Sequence, residues 1–159
     1  MRTVVIPMEE LAQLLQLQME TSGQSVLTVT GSSMLPMLHH RKDSVVLELI
    51  KEAPRKGDLI LYRRESGAYI LHRILRTDGD GYLCCGDNQW QIEPVGAHQL
   101  VALVTGFTRN GRHYENSHKG YRLYVWLWVG LHPVRRYILA VRRRLGRVRR
   151  AVAGRHMKK

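Results

Sequence analysis

Apolar positions change their spacing twice along the chain. In residues 8–19 (MEELAQLLQLQM), Leu11, Leu14, Leu15 and Met19 recur at steps of three and four, the spacing of one helix face. Glu9 and Glu10 fall in its first turn, where the positive end of a helix favours carboxylates, and Thr21-Ser22-Gly23 stops it. From there to about residue 115 the pattern shortens to β-like runs at 26–30, 44–50, 58–63, 68–76, 81–85 and 100–108. Gly57-Asp58, Ser66-Gly67, Asp78-Gly79-Asp80-Gly81 and Asn110-Gly111 mark turns between them. Short strands with regular turns predict a compact, mostly antiparallel β domain. Helical spacing returns after the polar stretch 116–120. A helix is expected from near Tyr121, broken or kinked at Pro133. Beyond it Val134, Ile138, Val141, Leu145, Val148 and Val152 form one stripe. Arg135, Arg136, Arg142, Arg143, Arg144, Arg147, Arg149 and Arg150 lie around that stripe. The expected division is a mainly β domain with an N-terminal helix over 1–118 and a basic amphipathic helical tail over 119–159.

Charge sharpens that division. The chain of 159 residues carries a formal net charge of +12, and 44% of it is hydrophobic, enough for a core in one domain. Residues 1–120 hold 13 Lys and Arg against all 13 Asp and Glu; residues 121–159 hold the other 12 cations and no acid. The body is neutral and the tail holds the whole excess. Two adjacent cysteines, Cys84 and Cys85, supply neither a disulfide framework nor a four-ligand zinc site. Neighbours on a strand, they should face opposite sides as small hydrophobes. His39-His40 reads as a surface loop pair, and no metal or cofactor is expected.

The N-terminal stretch Met1-Arg2-Thr3-Val4-Val5-Ile6-Pro7 has a three-residue apolar run before proline, whereas a secretory core needs roughly 7–15 apolar residues. The run Leu123–Leu131 (LYVWLWVGL) falls well short of the roughly 20 residues of a spanning helix. The expectation is a cytoplasmic protein.

Three segments could carry chemistry. Val29-Thr30-Gly31-Ser32-Ser33-Met34-Leu35-Pro36 is a turn after a strand that can expose the Ser33 hydroxyl, with backbone N–H groups nearby to hold an oxyanion; its plainer reading is a structural turn. His72 lies on a strand whose alternation puts Ile70, His72 and Ile74 on one face and Leu71, Arg73 and Leu75 on the other. Burial there would depress its pKa and keep it able to accept a proton, in a base or in a satisfied core histidine alike. Cys85-Gly86-Asp87-Asn88 is a turn that places a carboxylate at its bend, as a turn former or to hold a histidine in one tautomer.

In order and context these segments resemble the serine peptidase clan of signal peptidases and self-cleaving SOS repressors. Val29-x-Gly31-x-Ser33-Met34-x-Pro36 is similar to its nucleophile motif, and Lys56-Gly57-Asp58-Leu59-Ile60-Leu61-Tyr62 to the strand that follows. His72-Arg73-Ile74 stands where most bacterial members have Lys-Arg-Val, as in the Ser–His type of the endoplasmic reticulum and archaea. Gly86-Asp87-Asn88, with Glu93-Pro94-Val95 behind it, looks like the Gly-Asp-Asn box of signal peptidases. The resemblance covers residues 26–106. It implies a serine endopeptidase in which Ser33 attacks a peptide carbonyl, His72 takes its proton and Asp87 orients the imidazole. The backbone of Gly31, Ser32 and Ser33 would form the oxyanion hole. Gly31 replaces the serine usual in signal peptidases, the second carboxylate is at best Glu93, and the membrane span of those enzymes is missing from this sequence.

Trp126, Trp128, Arg135, Arg136, Arg142, Arg143 and Arg144 suit an in-plane helix on an anionic membrane, on its cytoplasmic face. The stripe packing on the body or on a partner is the plainer reading, and nucleic acid is disfavoured for want of a DNA-reading motif. The substrate implied is a precursor or leader peptide. Two other functions stay open at this point: a non-catalytic peptide-binding relative, and a basic regulatory or nucleic-acid-binding protein.

Overall fold

The computed structural model describes residues 8–156; the side chains of Met8, Arg143 and residues 147–156 lie outside the described set. Helix α1 (Met8–Ser22) is followed by strands β1 (Ser25–Thr28), β2 (Ser44–Glu48), β3 (Leu59–Arg63), β4 (Tyr69–Asp78), β5 (Gly81–Cys85), β6 (Glu93–Gly96), β7 (Leu100–Arg109) and β8 (Arg112–Glu115). Helices α2 (Lys119–Gly130) and α3 (His132–His156) complete the chain. All strand pairs are antiparallel, in one open sheet ordered β1-β2-β7-β3-β4-β5-β6, with β8 on β7.

The strands expected near 44, 58, 68, 81 and 100 form close to their predicted bounds. β6 and β8 were not legible: Glu93-Pro94-Val95-Gly96 and Arg112-His113-Tyr114-Glu115 have too few apolar residues to alternate, and pairing to β5 and β7 makes them strands. In α1 the core-facing residues are Ala12, Leu15 and Met19, with Leu11 partly covered; Leu14, expected on that face, is exposed. Gly23, at φ +82°, accommodates the left-handed exit from the helix, its N–H bonded to the Met19 carbonyl.

β3 lies deep in the sheet and is covered on both faces. Leu59 and Leu61 join Val45, Leu47, Val104 and Phe107 in the cluster beneath α1. Ile60 and Tyr62 join Ile74, Tyr82, Cys84 and Val95 on the other side. Cys84 and Cys85 do face opposite sides, Cys85 packing with Leu75 and Val129. Burial pushes their thiols up to about 12 and about 11, so both stay protonated small hydrophobes.

The tail starts as expected and divides before Pro133, but its first part is no appendage. Tyr121 and Val129 of α2 and Arg135 and Leu139 of α3 are buried. The stripe read from the sequence points elsewhere: Val134, Val141 and Leu145 are exposed, with Ile138 partly covered, whereas Leu139 and Arg135 are buried and Arg135 bonds to the body. The side chains of Val148, Val152, Arg147, Arg149 and Arg150 lie outside the described residues.

Candidate active site

β1 delivers the chain to the serine turn. Gly31 takes φ +85°, a left-handed conformation that glycine adopts without a Cβ penalty, and Ser32–Leu38 coil into one irregular turn containing a cis Leu35–Pro36 bond. Met34, Met37 and Leu38 anchor that turn in the core, which leaves Ser33 partly exposed above them. The Ser33 hydroxyl makes no hydrogen bond among the described residues.

The Gly86-Asp87-Asn88 loop clamps the turn from the opposite side. The Asn88 backbone N–H donates to the Ser33 carbonyl at 2.7 Å, and Asn88 Nδ2 donates to the Ser32 carbonyl at 3.1 Å. A Cβ on Gly86 would stand 2.7 Å from the Ser33 carbonyl oxygen and 3.0 Å from His72 Nε2. Glycine is needed there because the serine turn and the histidine ring both close on the same point. Ser33 and His72, 39 positions apart in sequence, are thus brought to one place.

Pairing register explains what surrounds His72. Ile60 lies directly across from it and Tyr62 across from Ile70, so Tyr62 is its diagonal neighbour on the same face. Glu93 pairs with Cys84, itself opposite Ile74, which carries the carboxylate onto that face as well. Tyr62 Oη lies 3.2 Å from His72 Nδ1 and donates to Glu93 Oε2 at 2.8 Å. Arg64 holds both Glu93 oxygens through its Nε and Nη2. Burial pushes the His72 pKa down to about 4, against a partial upward pull from Glu93, so the ring is neutral at pH 7. The Arg64 hydrogen bonds hold the Glu93 carboxyl below its usual range.

Asp87 is where the structure departs from the sequence reading. Its carboxylate takes a bidentate pair from Arg73, Nε to Oδ1 at 2.9 Å and Nη2 to Oδ2 at 2.8 Å, and a further bond from the Tyr124 hydroxyl at 3.0 Å. Arg73 follows His72 on β4 and therefore points to the opposite side of the sheet, and the carboxylate follows its counter-charge there. Its charge acts on His72 through space, in the direction that favours protonation, but the ring nitrogen faces Tyr62. Tyr62 and, behind it, Glu93 stand beside the ring where Asp87 was expected. Neither was among the expected catalytic groups, although Glu93 stood in the resembling motif; the signal was the Tyr62 side of β3, legible only once the strand register was known.

The oxyanion reading changes in the same way. The Gly31 N–H donates to His40 Nδ1 at 2.8 Å, so it is already engaged; the left-handed turn aims it back into the loop. The N–H groups of Ser32 and Ser33 have no acceptor among the described residues. His40 is therefore a support of the serine turn, and His39 pairs with Asp43 at 3.0 Å. Among the described residues no three His, Cys, Asp or Glu side chains gather as a metal site.

The tail residues divide between the site and the surface. Trp128 Nε1 donates to the Asp87 carbonyl at 2.9 Å. Arg135, fully buried, donates to the carbonyls of Gly86 at 3.3 Å, Gln89 at 3.4 Å and Trp128. These two therefore hold the Gly86–Asn88 loop and cannot be the membrane-facing contacts that the sequence suggested. Trp126 is 72% exposed; Arg136, stacked on Tyr137, and Arg142 and Arg144 are exposed too, while the Arg143 side chain lies outside the described residues. No protein-family model matches the chain, and no curated protein is significantly similar to it.

Proposed function

We propose that this chain is a serine endopeptidase of the signal-peptidase type, with Ser33 as nucleophile and His72 as general base. One observation carries the reading: a buried, neutral imidazole presents Nε2 to the serine turn across a glycine that lets the two approach. His72 Nε2 takes the Ser33 proton as Oγ bonds to the peptide carbonyl carbon, and returns it to the departing amine as the C–N bond breaks. Water, deprotonated by the same nitrogen, then hydrolyses the acyl-enzyme. The free N–H groups of Ser32 and Ser33 are the oxyanion donors in this reading. The substrate class is a precursor or leader peptide.

A second observation bears on where it works. Val134, Tyr137, Val141 and Leu145 lie on one exposed side of α3, and Leu123, Trp126 and Leu127 on one exposed side of α2. Among the described residues no helix is long and apolar enough to cross a membrane. An apolar stripe beside arginines supports peripheral attachment to an anionic membrane surface, on its cytoplasmic face. The test of the enzyme reading is labelling by a fluorophosphonate. Modification of Ser33, lost in His72→Ala, is the expected result; no labelling at any pH would leave a non-catalytic peptide-binding relative.

A further inference from the structure

We propose that Tyr62 and Glu93, backed by Arg64, are positioning residues that hold His72 in the tautomer with its proton on Nδ1, leaving Nε2 bare toward Ser33. The inference rests on the enzyme reading for its purpose but not for its geometry. Tyr62 has one hydroxyl proton and two neighbours that could take it. Glu93 Oε2 is nearer, at 2.8 Å against 3.2 Å for His72 Nδ1, and Arg64 keeps that carboxylate ionised. A charge-assisted bond to a carboxylate is about twice as strong as a neutral one, so the proton goes to Glu93. The Tyr62 oxygen then faces His72 as an acceptor. A bare Nδ1 there would set two lone pairs against each other in a buried site, whereas Nδ1–H makes a hydrogen bond.

A neutral imidazole has one N–H, so satisfying Tyr62 empties Nε2. That nitrogen stands 3.0 Å from the position where a Cβ of Gly86 would be, on the side of the serine turn. The charged groups that act on the ring are Glu93, Arg64 and Asp87, the last from the other side of the sheet. The direct His72 Nδ1 to Glu93 Oε2 distance is 4.0 Å, beyond hydrogen-bond reach, so the carboxylate acts through the phenol. A tyrosine interposed between carboxylate and imidazole does what a directly bonded carboxylate would do for orientation, without stabilising an imidazolium as strongly.

The experiment is two-bond ¹H–¹⁵N correlation of histidine-labelled protein at pH 7, with His72 assigned by comparison with His72→Gln. The expected spectrum has His72 protonated at Nδ1 and bare at Nε2. Tyr62→Phe and Glu93→Gln should move it toward the other tautomer; Glu93 is partly exposed and Gln keeps its shape, so this variant keeps the question open to measurement if Tyr62→Phe fails to fold. Activity should fall about tenfold or more in kcat with KM unchanged. The acid limb of the Glu93→Gln profile should move to lower pH, because the carboxylate that favours protonation is gone. Wild-type His72 protonated at Nε2, or an unchanged tautomer in both variants, overturns the proposal. A wild-type protein that shows the Nδ1–H tautomer and its response to Glu93→Gln, yet takes no fluorophosphonate, sinks the enzyme reading while leaving the relay in place.

Discussion

Gly86 and Ser33 approach so closely that a single methyl group on Gly86 would stand 2.7 Å from the Ser33 carbonyl oxygen. The same methyl would press on His72 Nε2 at 3.0 Å. Gly86→Ala should therefore push the serine turn away from the histidine. Overpacking of this kind costs about 1–3 kcal/mol of stability. Displacement near 1 Å at a reacting centre lowers turnover about 100-fold. Peptide cleavage and a urea melt on the same preparation check both, and unchanged turnover would show that the contact is irrelevant to chemistry.

Ser33→Ala and His72→Ala should each remove nearly all turnover, and the double variant should be scarcely worse, since the pair acts as one unit. Single-turnover kinetics of the three variants decide it. Independent, additive losses would mean that the two side chains do not share a step.

Activity should rise with pH along a limb governed by His72, centred near its pKa of about 4 rather than near 6.5, because only the neutral ring accepts a proton. Stability should follow the same group. Between about 6.5 and about 4 the unfolded chain binds a proton that the native histidine refuses, so stability falls as pH falls through that window. The loss amounts to about 3 kcal/mol across it. Urea titrations at several pH values, repeated with His72→Gln, should show the slope flattened in the variant.

Asp87→Ala should act on stability before chemistry. It strands the buried Arg73 guanidinium, and breaking a buried pair in this way costs about 3–5 kcal/mol. The His72 tautomer should stay as in the wild type. A variant of native stability whose turnover is abolished would instead return Asp87 to the role first expected of it.

Cutting the chain after Gly120 should inactivate it, because Tyr124, Trp128 and Arg135 hold the Gly86–Asn88 loop. Surface changes separate binding from chemistry. Val141→Asp with Leu145→Asp, both exposed, should weaken attachment to vesicles containing anionic lipid and leave cleavage of a short soluble peptide unchanged. Charge reversal at Arg142 and Arg144 should weaken attachment most at low salt, where screening is least. Equal vesicle binding by wild type and all these variants would end the membrane reading.

Local pattern was enough for much of this fold. The spacing of three and four in residues 8–19, the turns at Gly57-Asp58 and Asp78-Gly79, and alternation around His72 each depend on neighbours a few positions away, so they could be read along the chain. Alternation also placed Cys84 and Cys85 on opposite faces and set the face of His72, while the Gly31-Ser32-Ser33 turn after a strand made Ser33 a candidate. What joined them was decided by pairing between distant strands. Asp87 follows Arg73 to the far side of the sheet because residues 72 and 73 point in opposite directions, and the sequence could not say which of the two would hold the carboxylate. Glu93 reaches Tyr62 only because β6 pairs with β5 in one register, and β6 itself had no pattern to reveal it. In α3 the spacing of the apolar stripe was right but its partner was not: buried Arg135 donates to three carbonyls through Nη1 and Nη2, with its Nε unpartnered among the described residues, and the apolar residues of the stripe face outward. Periodicity says which residues share a face; only the hydrogen-bond partners supplied by the rest of the molecule decide which face is buried.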